Sequence, residues 1–489
     1  MKKSIFYIAG ACLMLMASCK KELKEKPYSF LTPDNYYTNA TDAQTAVNGI
    51  FNVLQQQPSY QRTVWLIGEL PADNLMPIPT TTSERLELSN FNWTPGNGEI
   101  LNWWQTSYQA ISRANDVILY VPAIKMDTTL RNHLVGNARF LRALCYFDLV
   151  RNFGDIPLLL RPILTASDTL LFPSRTAASE VYKAIINDLK FAETNCFAES
   201  KITKTYSTLK GMASSGAAAT LLAKVYLQRG STTFADAQDN QNALAELNKV
   251  IASKEYSLFP NYSDVFDNAK KNGTEHIFSI QFGPGNNGAG SNIILRMLYP
   301  SNLGGAGPFV ADSNFFKTGY SADDIIRRKW NMADTVGTQR VWPPFIYKYR
   351  DPAYASGSNN SNVNWIVLRY ADVLLMQSEA LNNIDATDIT KFNGVNAIRA
   401  RAGLTVASQL NFTNTVSQND FIDSLVKDRA RELFVEGHRK YDLIRLKRYK
   451  QVMAASRGIT VPDYRFLLPI PQTERDVNKN LSQNDGYPK

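Results

Sequence analysis

The sequence is poor in the residue types that usually bind metals. Its 489 residues include four cysteines and three histidines, and no two cysteines have the CxxC spacing. His133, His276 and His438 are far apart along the chain. A structural zinc site is typically built from four Cys or His ligands at short, regular spacings. The sequence therefore predicts no metal site, and it indicates no cofactor.

The sequence also lacks an apolar run that could cross a membrane. The uncharged stretch at residues 5–17 is shorter than the roughly 20 residues that a helix needs to span a bilayer. Two lysines precede this stretch, and the small residues Ala17 and Ser18 end it. A basic start, an apolar centre and a small-residue end are typical of a secretory signal peptide.

Cys19 follows this signal directly. Residues 16–19 resemble the lipobox of bacterial lipoproteins, with Met16 in the place where leucine is usual. We therefore expect residues 1–18 to be a signal peptide and Cys19 to carry the lipid anchor that attaches the protein to a membrane. Residues 19–30 are then a lipidated polar tether.

Long runs of basic residues are absent. The formal charge is +9, and it falls to +7 when residues 1–18 are removed, because these contain two lysines and no acid. The remaining basic clusters, such as residues 439–440 and 447–448, are short and lie among apolar residues. Nucleic-acid binding requires a basic patch or stripe, so no nucleic-acid partner is predicted.

Recognisable catalytic motifs are missing as well. HExxH, GxSxG and P-loop strings do not occur. Residues 283–288 match the glycine spacing of a dinucleotide-binding loop, but Pro284 and the neighbouring asparagines favour a turn over a helix start. Acidic pairs such as residues 323–324 have no coupled second acid. The sequence favours a protein that is not an enzyme, and it leaves open a hydrolase whose acids meet only after folding.

Apolar residues recur with helical spacing along much of the chain. Residues 132–152 are apolar nearly all round, which predicts a buried helix. Residues 214–229 with 239–253, and residues 368–382 with 389–402, predict two helical hairpins. Each hairpin has the size of a tetratricopeptide repeat and requires neighbours to cover its apolar face. The predicted fold class is therefore mainly α, with a tetratricopeptide-like scaffold.

Residues 262–364 have a different composition. Glycine, proline and asparagine are frequent there, and residues 275–282 read as one strand. Because long loops in a compact protein are usually functional, we expect a loop-rich, partly β variable lobe that faces a ligand. The predicted division is an N-terminal helical region at 31–261, this lobe at 262–364, and a C-terminal region at 365–489 that completes the scaffold.

Two polar segments each have a structural interpretation. Residues 68–74 follow a short apolar run, so they are either a polar turn after a helix or a loop that offers Asp73 and Asn74 to the hydroxyls of a sugar. Residues 428–445 are the most densely charged segment. Acids and bases three or four apart pair along helices, so this segment predicts a structural ionic network.

Several segments, taken in order, resemble the SusD/RagB family of outer-membrane nutrient-binding lipoproteins. They are the lipobox ending at Cys19, residues 68–74, residues 137–143 with 153–157, residues 368–372 with 378–380, residues 431–445, and residues 468–471 with 482–487. The series spans nearly the whole mature chain, which makes it more specific than any single motif.

This resemblance implies a tetratricopeptide-like scaffold, a loop-rich ligand face and a SusC-like TonB-dependent β-barrel transporter as partner. It implies a cell-surface, lipid-anchored protein of the outer membrane that captures an oligosaccharide and closes over the transporter as a lid. Peptide capture, as in some relatives, and a pure scaffolding role are the alternatives. Residues 20–22 are less acidic than the usual surface-export signal, and residues 76–79 lack the aromatics of starch-binding relatives. Starch is therefore not the predicted ligand.

The expected ligand contacts come from the first loop and from the variable lobe. The predicted site residues are Asp73, Asn74, Arg85, Tyr299, Trp330 and Trp342.

Overall fold

The computed structural model describes residues 33–283 and 290–489. The predicted signal peptide, Cys19, the tether at 19–30 and most of the glycine string at 283–288 lie outside the described residues.

Helices dominate the chain before residue 262. They are α1 (Pro33–Tyr36), α2 (Ala40–Leu54), α3 (Thr63–Glu69), α4 (Ser83–Asn90), α5 (Gly98–Tyr120), α6 (Thr128–Phe153), α7 (Ala178–Asn195), α8 (Glu199–Thr205), α9 (Ser215–Arg229) and α10 (Asp239–Ser253). Polar side chains cap several N-termini: Asn97 accepts from the backbone N–H of Ile100 at the start of α5, and Ser214 from that of Ala217 in α9. The predicted buried helix at 132–152 is confirmed as the central part of α6.

The rest of the chain contains both helices and strands. The helices are α11 (Ile294–Leu298), α12 (Ser313–Thr318), α13 (Ile325–Asn331), α14 (Tyr370–Ile384), α15 (Lys391–Arg401), α16 (Gln418–Glu432), α17 (Arg439–Arg445), α18 (Tyr449–Arg457) and α19 (Gln472–Val477). The strands are β1 (Leu75–Pro77), β2 (His276–Ile280), β3 (Phe309–Ala311), β4 (Met332–Val336), β5 (Gln339–Ile346) and β6 (Trp365–Arg369).

The longer helices pack side by side in a layered array. Successive neighbours in this array are α2, α5, α6, α7, α9, α10, α14 and α15. Both predicted hairpins are confirmed, as α9 with α10 and α14 with α15, and their ends shift by two residues at most. Because α10 packs on α14, hairpins that are distant in sequence cover each other's apolar faces. The fold is mainly α, as predicted.

The strands form three antiparallel pairs, β1 with β3, β2 with β6, and β4 with β5. The predicted strand at 275–282 is confirmed as β2. Its partner β6 leads directly into α14, so the loop-rich region is attached to the helical array through this pair.

A buried group of charged residues, which we call the ionic cluster, joins β6 to the C-terminal helices. Its members are Glu275, Lys348, Arg369, Arg401, Glu432 and Glu436. Arg369 is central: its guanidinium lies 2.9 Å from Glu275, 2.8 Å from Glu432 and 2.7 Å from Glu436. The ionic network predicted from residues 428–445 is confirmed, and it is structural.

The pKa of Glu432 shows how the guanidinium groups of this cluster keep a buried carboxyl ionised. Burial favours the protonated form of the carboxyl, but Arg401, Arg369 and Arg327 outweigh it and lower the pKa of Glu432 to about 2. Glu432 is therefore a buried carboxylate whose charge depends on its guanidinium partners.

The cysteines of the array are not cross-linked. Cys145 and Cys196 are both buried free thiols. Within residues 33–283 and 290–489, none of the helices combines the length and the apolarity needed to cross a bilayer.

Candidate functional site

The loop after α3 and the variable lobe meet through a short sheet contact. Leu75 pairs with Ala311 and Pro77 with Phe309, and the N–H of Ile78 donates to the carbonyl of Pro308. β3 also packs against β5, which carries Trp342. The structure therefore brings the predicted first loop and the predicted aromatic lobe to adjoining parts of the surface.

Trp342 is the most exposed of the predicted site residues. Its side chain is 46% exposed, and its ring meets Phe316 edge-on with centroids 6.1 Å apart. Lys317 Nζ lies 5.5 Å and Arg340 Cζ 5.4 Å from the ring centroid, while Arg328 Cζ lies 5.1 Å from that of Phe316. We call these five residues the aromatic patch. It presents a flat apolar face surrounded by hydrogen-bond donors.

Only Trp342 of this patch was predicted from the sequence. Phe316 and Lys317 lie on α12, Arg328 on α13 and Arg340 on β5, so the patch is assembled from three elements. The sequence signal that could have identified other members of the patch is the pair Phe315-Phe316 followed by Lys317 within the loop-rich region. Sequence alone does not show that Phe315 turns inward while Phe316 stays partly exposed.

Trp330 and Tyr299 lie deeper than predicted. Trp330 donates from Nε1 to the carbonyl of Lys348 over 3.1 Å, and the Arg350 guanidinium stacks 3.4 Å above its ring. Tyr299 is buried, and its hydroxyl donates to the carbonyl of Tyr349. The Tyr299 ring is therefore buried, whereas the Trp330 ring is partly buried under Arg350 and is less accessible than the surface position expected for it.

Asp73 and Asn74 are also engaged internally. Arg439 forms a bidentate pair with Asp73 over 2.6 and 2.8 Å, and the Asn74 amide donates to Glu69 over 2.7 Å. Both side chains are less than one-tenth exposed. Of the two interpretations of this segment, the contacts favour the structural one, because α17 supplies the cation and α3 the acceptor that bind these side chains. Ligand binding by Asp73 and Asn74 stays a prediction.

Glu69 connects this loop to the segment before α17. Its carboxylate accepts from the Asn74 amide and from the backbone N–H groups of Gly437 and His438. Burial raises the pKa of Glu69 to about 7, although these three hydrogen bonds act in the opposite direction. A Cβ on Gly68 would lie 2.6 Å from the carbonyl oxygen of Gly437, so only glycine permits this close approach of the two chain segments.

Arg85 lies at the edge of the same region. Its Nε donates to Glu99 over 3.1 Å, and its guanidinium lies 5.6 Å from the Phe309 ring centroid. The side chain is half-buried rather than enclosed. Arg85 therefore links α4 and α5 to β3, which packs against β5, the strand that carries Trp342.

The chain matches known proteins along nearly its whole length. Residues 313–487 match the sequence model of the SusD family, and residues 23–227 match that of a family described as starch-binding and associating with the outer membrane. A SusD-like protein of Formosa agariphila is 30% identical to it, over 97% of this chain and 98% of the relative.

Solved structures share the fold. A SusD homolog from Bacteroides thetaiotaomicron has a TM-score of 0.81 at 23% identity, covering 93% of this chain and 98% of its own. A laminarin-binding SusD-like protein has a TM-score of 0.76 at 25% identity, covering 92% of this chain and 100% of its own. Sequence and fold agree, and the chain belongs to the SusD family.

Proposed function

We propose that this protein captures oligosaccharides at the cell surface and passes them to a SusC-like TonB-dependent transporter, without cleaving them. The observation that carries the proposal is the aromatic patch. Sugar rings stack their C–H faces on exposed aromatic rings, and their hydroxyls accept hydrogen bonds from cationic donors such as Lys317 and Arg340. The laminarin-binding relative of the same fold supports a glycan as the ligand class.

Calorimetric titration against an oligosaccharide panel tests the capture step. The chain that begins at Lys20 keeps every described residue and suits the measurement. We expect saturable binding to at least one glycan and no release of shorter sugars. Saturable binding of peptides with no glycan binding, or sugar release by the purified protein, would contradict the proposal.

Trp342→Ala is expected to weaken glycan binding about tenfold, because stacking and the burial of the ring together contribute about 1–2 kcal/mol. Phe172→Ala is the matched control, since Phe172 is 49% exposed but lies in the loop between α6 and α7, away from the patch. Equal affinities of the Trp342→Ala variant and the unmodified protein would exclude this ring from the binding site.

The membrane anchor is a separate part of the proposal. Cys19→Ala is expected to move the protein from the outer-membrane fraction to the soluble fraction, because the lipid chains hold the protein by burying their methylene groups. Cys12→Ala, a change in the same signal segment, should leave the protein in the membrane. Retention of the Cys19→Ala variant, or an unmodified Cys19 by mass spectrometry, would refute lipid anchoring.

A further inference from the structure

A concave surface lies on the other side of α12 from the aromatic patch. This cavity, which we call the α16–α18 cavity, has a volume of about 490 Å³. Ligand pockets typically occupy about 300–1,000 Å³, so it is large enough for a sugar unit. Phe315 and Thr318 of α12 line the cavity, whereas Phe316 and Lys317 of the same helix belong to the aromatic patch.

The walls of the cavity combine apolar and neutral polar groups. Phe315, Val426 and Ala430 supply apolar surface. Asn314 and Gln451 supply side-chain amides that form no hydrogen bond with another described residue. An apolar face beside free amide donors and acceptors suits the mixed C–H and hydroxyl surface of a sugar.

The cavity also carries an excess of positive charge. Four cations and two carboxylates line it. Arg439 is neutralised by Asp73 and Arg448 by Asp423, so the remaining cations are Lys427 and Arg431.

Arg431 is the cation of this cavity that most directly indicates the kind of ligand. Its Nε donates to the carbonyl of Gly319 over 2.7 Å, and no described carboxylate forms an ion pair with it. Burial lowers the pKa of Arg431 more than the more distant Asp428 and Asp324 raise it. The two Nη groups of Arg431 form no hydrogen bond with another described residue, so they remain available as donors. Their planar, paired geometry suits the oxygens of an oxyacid group.

We propose that the α16–α18 cavity binds an acidic unit of the captured oligosaccharide, a sugar carrying a carboxylate or a sulfate ester, with Arg431 and Lys427 holding the charged group. This inference rests on the proposed function and specifies its ligand class. The aromatic patch stacks a neighbouring sugar on the opposite side of α12.

Matched titrations test the ligand class. The probes are uronate oligosaccharides, sulfated oligosaccharides and neutral oligosaccharides of the same sugars and lengths, each at low and at high salt. We expect an acidic probe to bind at least tenfold more tightly than its neutral counterpart at low salt, and this preference to shrink as salt screens the charges. The uronate and sulfate sets distinguish the two sources of negative charge.

Variants test the residues. Arg431→Gln is expected to weaken binding of the acidic probe about ten- to one-hundred-fold, which corresponds to the loss of a charge-assisted hydrogen bond, and to weaken binding of the neutral probe less. Lys427→Glu changes an exposed side chain, so it keeps the test valid where Arg431→Gln fails to fold. Lys183→Gln on α7, which takes no part in the cavity, is the charge-matched control.

The outcomes separate the two proposals. Neutral glycans that bind as tightly as acidic ones, or an unchanged preference in Arg431→Gln and Lys427→Glu, would overturn the acidic-sugar inference while leaving glycan capture intact. Absence of binding to every sugar in the panel would overturn the proposed function itself.

Discussion

Replacing Arg369 with methionine is expected to lower the free energy of unfolding by about 3–5 kcal/mol, the cost of leaving buried charges without their partner. Arg369 is 1% exposed and contacts Glu275, Glu432 and Glu436. Methionine fills similar space but neutralises none of these carboxylates. Denaturant titration followed by circular dichroism measures the change.

The control for this prediction is a surface lysine. Lys183 pairs with Glu180 on α7, and both side chains are more than half exposed. Lys183→Met should change stability by less than about 0.5 kcal/mol. A loss in Arg369→Met no larger than that of the control would show that the ionic cluster does not depend on its central guanidinium.

The second large effect is expected from Asp73→Ala. This change leaves the guanidinium of Arg439 buried and unpaired, which should cost about 3–5 kcal/mol. The loss arises from the scaffold, because Arg439 belongs to α17 and its other contact is the carbonyl of Val426. Thermal unfolding of the unliganded protein measures it.

A double-mutant cycle separates this role from ligand binding. Asp73→Ala with Arg439→Met removes both charges, so the pair should be less destabilised than the sum of the single changes. Strictly additive losses would mean that the two side chains do not stabilise each other. A variant that keeps full stability but loses glycan binding would instead restore Asp73 as a ligand contact.

The helical scaffold follows from local sequence. Hairpins α9–α10 and α14–α15 were predicted because their apolar residues repeat with the period of a helix, and this period does not depend on distant partners. Their caps are local too: Ser214 precedes α9 and accepts a hydrogen bond from within its first turn. The alternating charges of residues 428–445 likewise indicated an ionic network, although not which distant residues join it.

The candidate site could be predicted from the sequence only in part. Trp342 was predicted and is exposed, whereas Tyr299 is buried and Trp330 is partly buried. The side chains of Trp330 and Tyr299 donate to the backbone carbonyls of Lys348 and Tyr349. The sequence indicated irregular segments for both tryptophans, whereas Trp330 lies on α13 and Trp342 on β5. The direction of each ring therefore depends on how its helix or strand packs in the fold.

The sequence by itself determined the helical periods, because these depend only on neighbouring residues, and it carried the family resemblance in short segments along the chain. Tertiary structure decided which residue Asp73 pairs with, since Arg439 is 366 residues away. It also placed Arg431 on a cavity wall, where it forms no ion pair with a carboxylate of the described residues. Long-range charge pairing requires the chain to be folded, because only the packed helices bring these groups within hydrogen-bonding distance and exclude the water that would otherwise solvate them.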